Sequence, residues 1–268
     1  MRARFRELLR PPRPDAVDVV TDRVQRRALV IELIIVGILT YGFSALSALL
    51  SLIEKQVRGG IGNATVPLNP AQSTVQTIDV IRRLMDVSQL FAIAGLGVYL
   101  LWRSGIRLPS IGLRRPTLRD VPPGLALAGI IGLPGLGLVA VARALGLNAQ
   151  LVPAESIGVW WQWPIWILSA FGNGAAEEIV VVAYLITRLR QLGVGANGSL
   201  AASALLRGGY HLYQGIGAGI GNVVMGLVFG RYYQLTSRVW PLVVAHAVMD
   251  IVAFVGYALL RDHLSWVG

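Results

Sequence analysis

"FGNGAAEEIVVVAYLITRLR", residues 171–190, places two adjacent carboxylates, Glu177 and Glu178, inside an apolar helix-forming run. A carboxylate at the centre of a bilayer-spanning helix costs about 2.5–3.5 kcal/mol on insertion scales. Two in succession are tolerated where they face a bundle interior or a cavity, and there they mark a functional site. Asn173 lies one helical turn before Glu177 and shares its face, whereas Glu178 is rotated by about 100°. The two acids therefore serve different purposes.

The rest of the chain explains why such a run occurs. Of 268 residues, 54% are hydrophobic and only 14% charged, and the mean hydropathy is +0.62. A soluble domain of this length carries far more charge. Apolar runs near residues 28–53, 86–103, 121–146, 160–189, 197–214, 217–235 and 239–260 approach or exceed the ~20 residues that cross a bilayer. The expected fold is all-α, a polytopic transmembrane helix bundle of about seven spans (roughly six to eight), with polar residues inside it. The domain organisation expected is a basic cytoplasmic tail over residues 1–27 and one transmembrane domain over 28–268.

The formal net charge of +10 does not indicate nucleic acid, because the arginines sit at the ends of apolar segments. Arg103, Arg107, Arg114, Arg115 and Arg119, then Arg188 and Arg190, then Arg231 and Arg238 mark alternate connections as cytoplasmic. This pattern implies a cytoplasmic N-terminus, with an external C-terminus if the spans number seven; the location expected is the plasma membrane, with membrane lipids as partners. Lys55, Arg58, Arg82 and Arg83 run against the pattern in residues 54–85, which read as an external loop ending in an interfacial helix, "IDVIRRLMDVSQ". Pro164 is a candidate break in the fourth span. The tryptophans Trp160, Trp161, Trp163, Trp166, Trp240 and Trp266 read as an interfacial belt. Cysteine is absent, which removes disulfides and thiolate chemistry. In "GIGAGIGNVVMGLVFG" the pairs Gly217/Gly221 and Gly226/Gly230 are small-xxx-small spacings for close helix packing.

Two later spans carry matching polar anomalies. Ser203, Arg207, His211 and Gln214 fall on one helical stripe, and His246 and Asp250 stand one turn apart. One cavity collecting these groups with the acids could activate a water and stabilise an oxyanion. The same set could instead hold a divalent metal such as Zn²⁺ on Glu177, His211 and His246, although no HExxH spacing is present.

"EEIVVVAYL", "LLRGGYH" and "PLVVAHAVMD", in this order on separate helices, resemble the CPBP family of intramembrane proteases, which contains the CAAX prenyl endopeptidases and the bacteriocin-processing and immunity proteins. The resemblance covers about residues 160–260. It implies an intramembrane endopeptidase acting on a membrane-associated protein or peptide. Glu177 would be the general base beside Glu178, His211 the second catalytic group, and His246 and Asp250 the oxyanion motif. The family's naming is divided between metal and metal-free glutamate mechanisms.

The chain departs from the family pattern in three places. Val182 and Ala183 stand where Arg-Gly is usual, Arg207 where an aromatic is usual, and Asp250 where Asn is usual. Arg207 is then expected to replace the missing arginine as counter-ion of Glu178 or Asp250, with Arg207 and Asn173 supporting the site. The rival expectations are a non-catalytic scaffold or immunity protein on the same fold, and a proton-coupled transporter.

Overall fold

The computed structural model describes residue 11 and residues 17–153 and 159–256. Most of the basic tail, Trp266 and the last residues of the seventh expected span lie outside the described residues. Seven helices follow in order: α1 (Arg23–Val57), α2 (Gln76–Arg103), α3 (Val121–Ala144), α4 (Gln162–Gln191), α5 (Ala196–Tyr210), α6 (Ile216–Thr236) and α7 (Trp240–Ile251). Each corresponds to one apolar run of the sequence. Four of them, α1, α2, α3 with the short turn before it, and α4, are long and apolar enough to cross a membrane. Of the about seven spans expected, four meet this criterion among the described residues. Helix α5 is too short, with 15 residues, and α7 forms only a short apolar helix even with its extension to Val255. Glycines and polar residues such as Asn222, Arg231 and Gln234 dilute α6.

Helix α4 is the centre of the bundle. Its most apolar window is 67% buried inside the protein, against 11%, 22% and 17% for those of α1, α2 and α3. Val182, Ala183 and Ile186 of α4 meet Met225 and Phe229 of α6 and Leu242 and Ala245 of α7 in the main core. The acids of α4 therefore face protein rather than lipid. Pro164 does not break α4, because it lies in the first turn, where no intrahelical N–H bond is lost. The irregularity comes later, as a π-helical segment over Glu178–Tyr184. Ser203 Oγ of α5 donates to the Val181 carbonyl inside that segment (2.7 Å), which ties α5 to the widened turn.

Close approach of α5 and α6 follows from glycine. A Cβ on Gly226 would lie 2.7 Å from Ala204 Cα, and one on Gly208 would lie 2.3 Å from Val223 Cγ2. A Cβ on Gly174 would lie 2.9 Å from the Val243 carbonyl, so α4 and α7 are equally close beside the acids.

The two ends of the bundle are tied differently. At one end Arg26 donates to the Leu192 carbonyl (3.0 Å), and Asp120 accepts from Arg238 (2.6 Å) at the start of α3. At the other end Lys55 donates to the Tyr213 carbonyl (2.9 Å). There a parallel strand pair, β1 (Thr65–Leu68) and β2 (Gln150–Pro153), links two connections with no local signal for pairing. The expected interfacial helix at residues 78–89 is instead the continuous beginning of α2.

Several charges differ from their expected surface role. Arg188 is fully buried and bonds Glu32 (2.8 Å), Gln191 (2.8 Å) and the Leu100 carbonyl (2.8 Å), so it fastens α1 and α2 to α4 instead of marking a membrane face. Arg83 is neutralised by Asp79 (2.7 Å) and Arg58 by Glu54 (2.8 Å), which accounts for part of the basic charge that ran against the loop pattern. Trp166 is buried with its edge against Trp163 and belongs to the interior, not to an interfacial belt.

Gly226→Leu forces side-chain carbons into the Ala204 backbone. Overpacking of this kind costs about 1–3 kcal/mol, so the variant is expected to unfold at lower temperature in detergent micelles. An unchanged transition would contradict the packing described for α5 and α6.

Candidate active site

The polar residues of α4, α5 and α7 converge. Glu178, at the first π-helical position of α4, is fully buried. Its Oε1 accepts from Arg207 Nη2 of α5 (2.6 Å) and from His246 Nδ1 of α7 (2.8 Å). Arg207, also fully buried, reaches Glu177 Oε2 with Nη1 at 3.7 Å. One guanidinium thus faces both carboxylates. Of the two partners expected for Arg207, it contacts Glu178; its other neighbours are Met225 Sδ (3.6 Å) and the ring of Phe229 (5.8 Å to the centroid). Glu178 Oε2 and Arg207 Nε are buried without a hydrogen-bond partner among the described residues.

Glu177 differs from Glu178 in access. Its side chain is 13% exposed, whereas that of Glu178 is 0% exposed. Its Oε2 accepts from the Tyr210 hydroxyl (2.5 Å), a contact that sequence inspection did not single out. The only hint was that Tyr210 directly precedes His211.

His211 closes α5 as the residue after its last turn, and Gln214 lies in the short turn that follows. The stripe of Ser203, Arg207, His211 and Gln214 therefore continues only as far as His211. His211 Nδ1 lies 3.0 Å from the Arg207 carbonyl. A carbonyl only accepts, so Nδ1 donates, and in the neutral ring Nε2 is left with a free lone pair. The His211 ring lies 4.7 Å from that of Tyr210. Among the described residues no hydrogen bond joins His211 to Glu177 directly.

On α7, His246 Nε2 lies 3.8 Å from Asp250 Oδ1, beyond hydrogen-bond distance. Asn173 donates to Asp250 Oδ2 (3.1 Å) rather than to Glu177, so the support it gives is to α7. The bundle brings the ring of His246 onto Glu178. Among the described residues no three His, Asp or Glu side chains are grouped so as to hold a metal ion. The position next to both carboxylates is taken by Arg207, a fixed cation.

A second polar cluster, Glu32 with Arg188 and Tyr184, was also missed. Its signal was the same as for the acidic pair, an acid in the apolar run of α1.

Arg207→Ala leaves the fully buried Glu178 without its guanidinium partner. Removing one member of a buried pair costs about 3–5 kcal/mol, so a loss of this size is expected in chemical unfolding in micelles. Arg207→Lys keeps one charge but cannot face both acids, and should fall between Ala and wild type.

Residues 159–252, about a third of the 268-residue chain, match the family model described as type II CAAX prenyl endopeptidase Rce1-like. Comparison with curated proteins and with solved structures gave no match. The matched stretch holds the acidic pair, the segment from Arg207 to His211, and the His246 and Asp250 helix. The family is one of proteases, so a peptidase is supported, and the apolar helices agree with a membrane protein. With the three motifs in order and on three packed helices, the match supports the CPBP/CAAX protease family for this chain over residues 159–252.

Proposed function

We propose that the protein is an intramembrane endopeptidase that hydrolyses a peptide bond of a membrane-associated protein or peptide, with Glu177 and His211 activating the water. The observation that carries this reading is the asymmetry of the acidic pair. Glu178 is sealed in an ion cluster with Arg207 and His246, while Glu177, held on one oxygen only, retains access.

The chemistry follows from the atoms. A water between Glu177 and His211 loses a proton to a basic oxygen or to His211 Nε2, and its oxygen bonds to the scissile carbonyl carbon. The carbonyl electron pair moves onto oxygen. With Nδ1 of His246 donating to Glu178, only an imidazolium has an Nε2–H to offer that oxyanion. Carboxyl oxygens of Glu178 and Asp250 lie 2.8 Å and 3.8 Å from the two ring nitrogens of His246. Collapse of the tetrahedral species breaks the C–N bond, and the proton taken from water passes to the leaving amine. In this account Glu178 orients His246 and Arg207 supplies the charge that keeps Glu178 in place, while Asp250, held by Asn173, stands near the far side of the ring and leaves Nε2 unbonded. The donor set does not fit a divalent metal, because the Arg207 guanidinium already stands against both carboxylates. No step is routed through one. The plasma membrane and a cytoplasmic N-terminus complete the proposal.

The rival is a non-catalytic scaffold or immunity protein. The feature favouring it is Val182, buried and apolar where the family usually has arginine. Against it stands the imperfect pairing of the cluster. Buried ion pairs kept only for stability are rarely worth their desolvation, and here two polar atoms remain unpartnered.

The test needs no known substrate. Wild type, Glu177→Gln and His211→Ala are expressed at equal levels in cells lacking the native protein, and new peptide termini in the membrane proteome are mapped by mass spectrometry. Termini that appear with wild type and vanish in both variants are expected. Identical termini in all three, with all three proteins folded, would sink the protease reading.

A further inference from the structure

We infer that Tyr210 is a positioning residue for Glu177: its hydroxyl pins Oε2, so that Oε1 alone is presented to the water. The inference rests on the proteolytic reading above, and goes beyond it by assigning a role to a residue of the "LLRGGYH" stretch that the acids and histidines leave without one.

The geometry is specific. A carboxylate on a free side chain rotates and offers either oxygen. Glu177 does not have that freedom, because Oε2 accepts from Tyr210 Oη at 2.5 Å and faces Arg207 Nη1 at 3.7 Å. Both donors approach the same oxygen, and among the described residues none reaches Oε1. A phenol has one proton and a carboxylate has none to give, so the hydrogen of Tyr210 is committed to Glu177. The tyrosine itself is immobilised. It is buried, it is the last residue of α5, and its ring contacts those of His211 (4.7 Å) and Tyr41 (4.8 Å). Tyr41 belongs to the π-helical turn Ile38–Gly42 of α1, so the first helix braces the site although it contributes none of the motif residues. The same ring that holds Glu177 therefore sets the spacing to His211. A shared water requires both groups at fixed distances, and small displacements of such groups carry large rate penalties.

The experiment has two arms on the full-length protein. In micelles, tyrosine labelled with ¹³C at Cζ gives one resonance per tyrosine, and Tyr210→Phe assigns that of Tyr210. Glu177→Gln weakens the acceptor and is expected to move the Tyr210 resonance, whereas Glu54→Gln, in the last turns of α1, leaves it unmoved. In cells, the accumulation rate of Glu177-dependent termini is compared at equal expression. Tyr210→Phe is expected to slow it about 10- to 100-fold without lowering the unfolding temperature in proportion, and Tyr213→Phe to leave it unchanged.

A Tyr210 resonance indifferent to Glu177→Gln overturns the inference even if Tyr210→Phe is poorly folded, and so does a wild-type rate in folded Tyr210→Phe. If wild type yields no Glu177-dependent termini, the proteolytic reading falls and takes the role of the water with it. A Tyr210 resonance that still moves would then leave only the hydrogen bond itself standing.

Discussion

Arg207 and Glu178 meet as two fully buried side chains, and the arrangement of three helices follows from that meeting. Neither charge survives there alone, since an isolated ion in a low-dielectric interior costs many kcal/mol. Their contact at 2.6 Å requires α4 and α5 to lie side by side. His246 joins the same carboxylate oxygen, and α7 is fixed as well. Close backbone approach makes the contact reachable: Gly174 lets α7 lie against α4, and Gly208 and Gly226 let α6 lie against α5. The buried pair is a poor source of net stability, because well-packed apolar residues of the same volume often serve as well or better. Its value lies in orientation. It sets the direction of His246 and leaves Glu177, one residue earlier, as the acid with access.

The π-helical segment of α4 begins at the acidic pair. Such segments recur at functional sites. This one is held by the Ser203 hydroxyl of α5, so the irregular turn is stabilised by the helix that also supplies Arg207, Tyr210 and His211. Away from the site, Arg188 with Glu32 repeats the same physics nearer the end of α4. A buried arginine there binds α1 to a body that it otherwise touches along only part of its length.

Much of this was legible in the sequence, for physical reasons that differ by residue. Glu177, Glu178, Arg207, His211, His246 and Asp250 were visible because each is costly in an apolar run, and cost in a bilayer is a strong signal. Helix positions were visible because apolar length is. Tyr210 and Tyr41 were not, since a tyrosine in an apolar helix is ordinary and only its three-dimensional neighbours distinguish it. Arg188 was misread because a basic residue near the end of a span has the same sequence signature whether it lies in solvent or bonds a distant Glu32. Trp166 was misread alike, as one of a local group whose members face different surroundings. The strand pair β1 and β2 joins segments some 85 residues apart, and nothing local encodes that contact. The short span α5 was overestimated because its polar stripe was extended through Gln214, whereas the helix ends at Tyr210. That ending is what places Tyr210 and His211 beside the acids.

The dependence of the site on the Arg207–Glu178 contact is tested most directly by a double-mutant cycle in micelles, with Arg207→Met, Glu178→Leu and the two combined, each unfolded by denaturant. The account predicts strong coupling: each single variant strands a buried charge and is the less stable, and the double variant recovers much of the loss, with a coupling of about 3 kcal/mol, the upper part of the range for residues in contact. Losses that simply add would contradict it, for then the two charges would not be sharing one buried contact at the centre of the bundle.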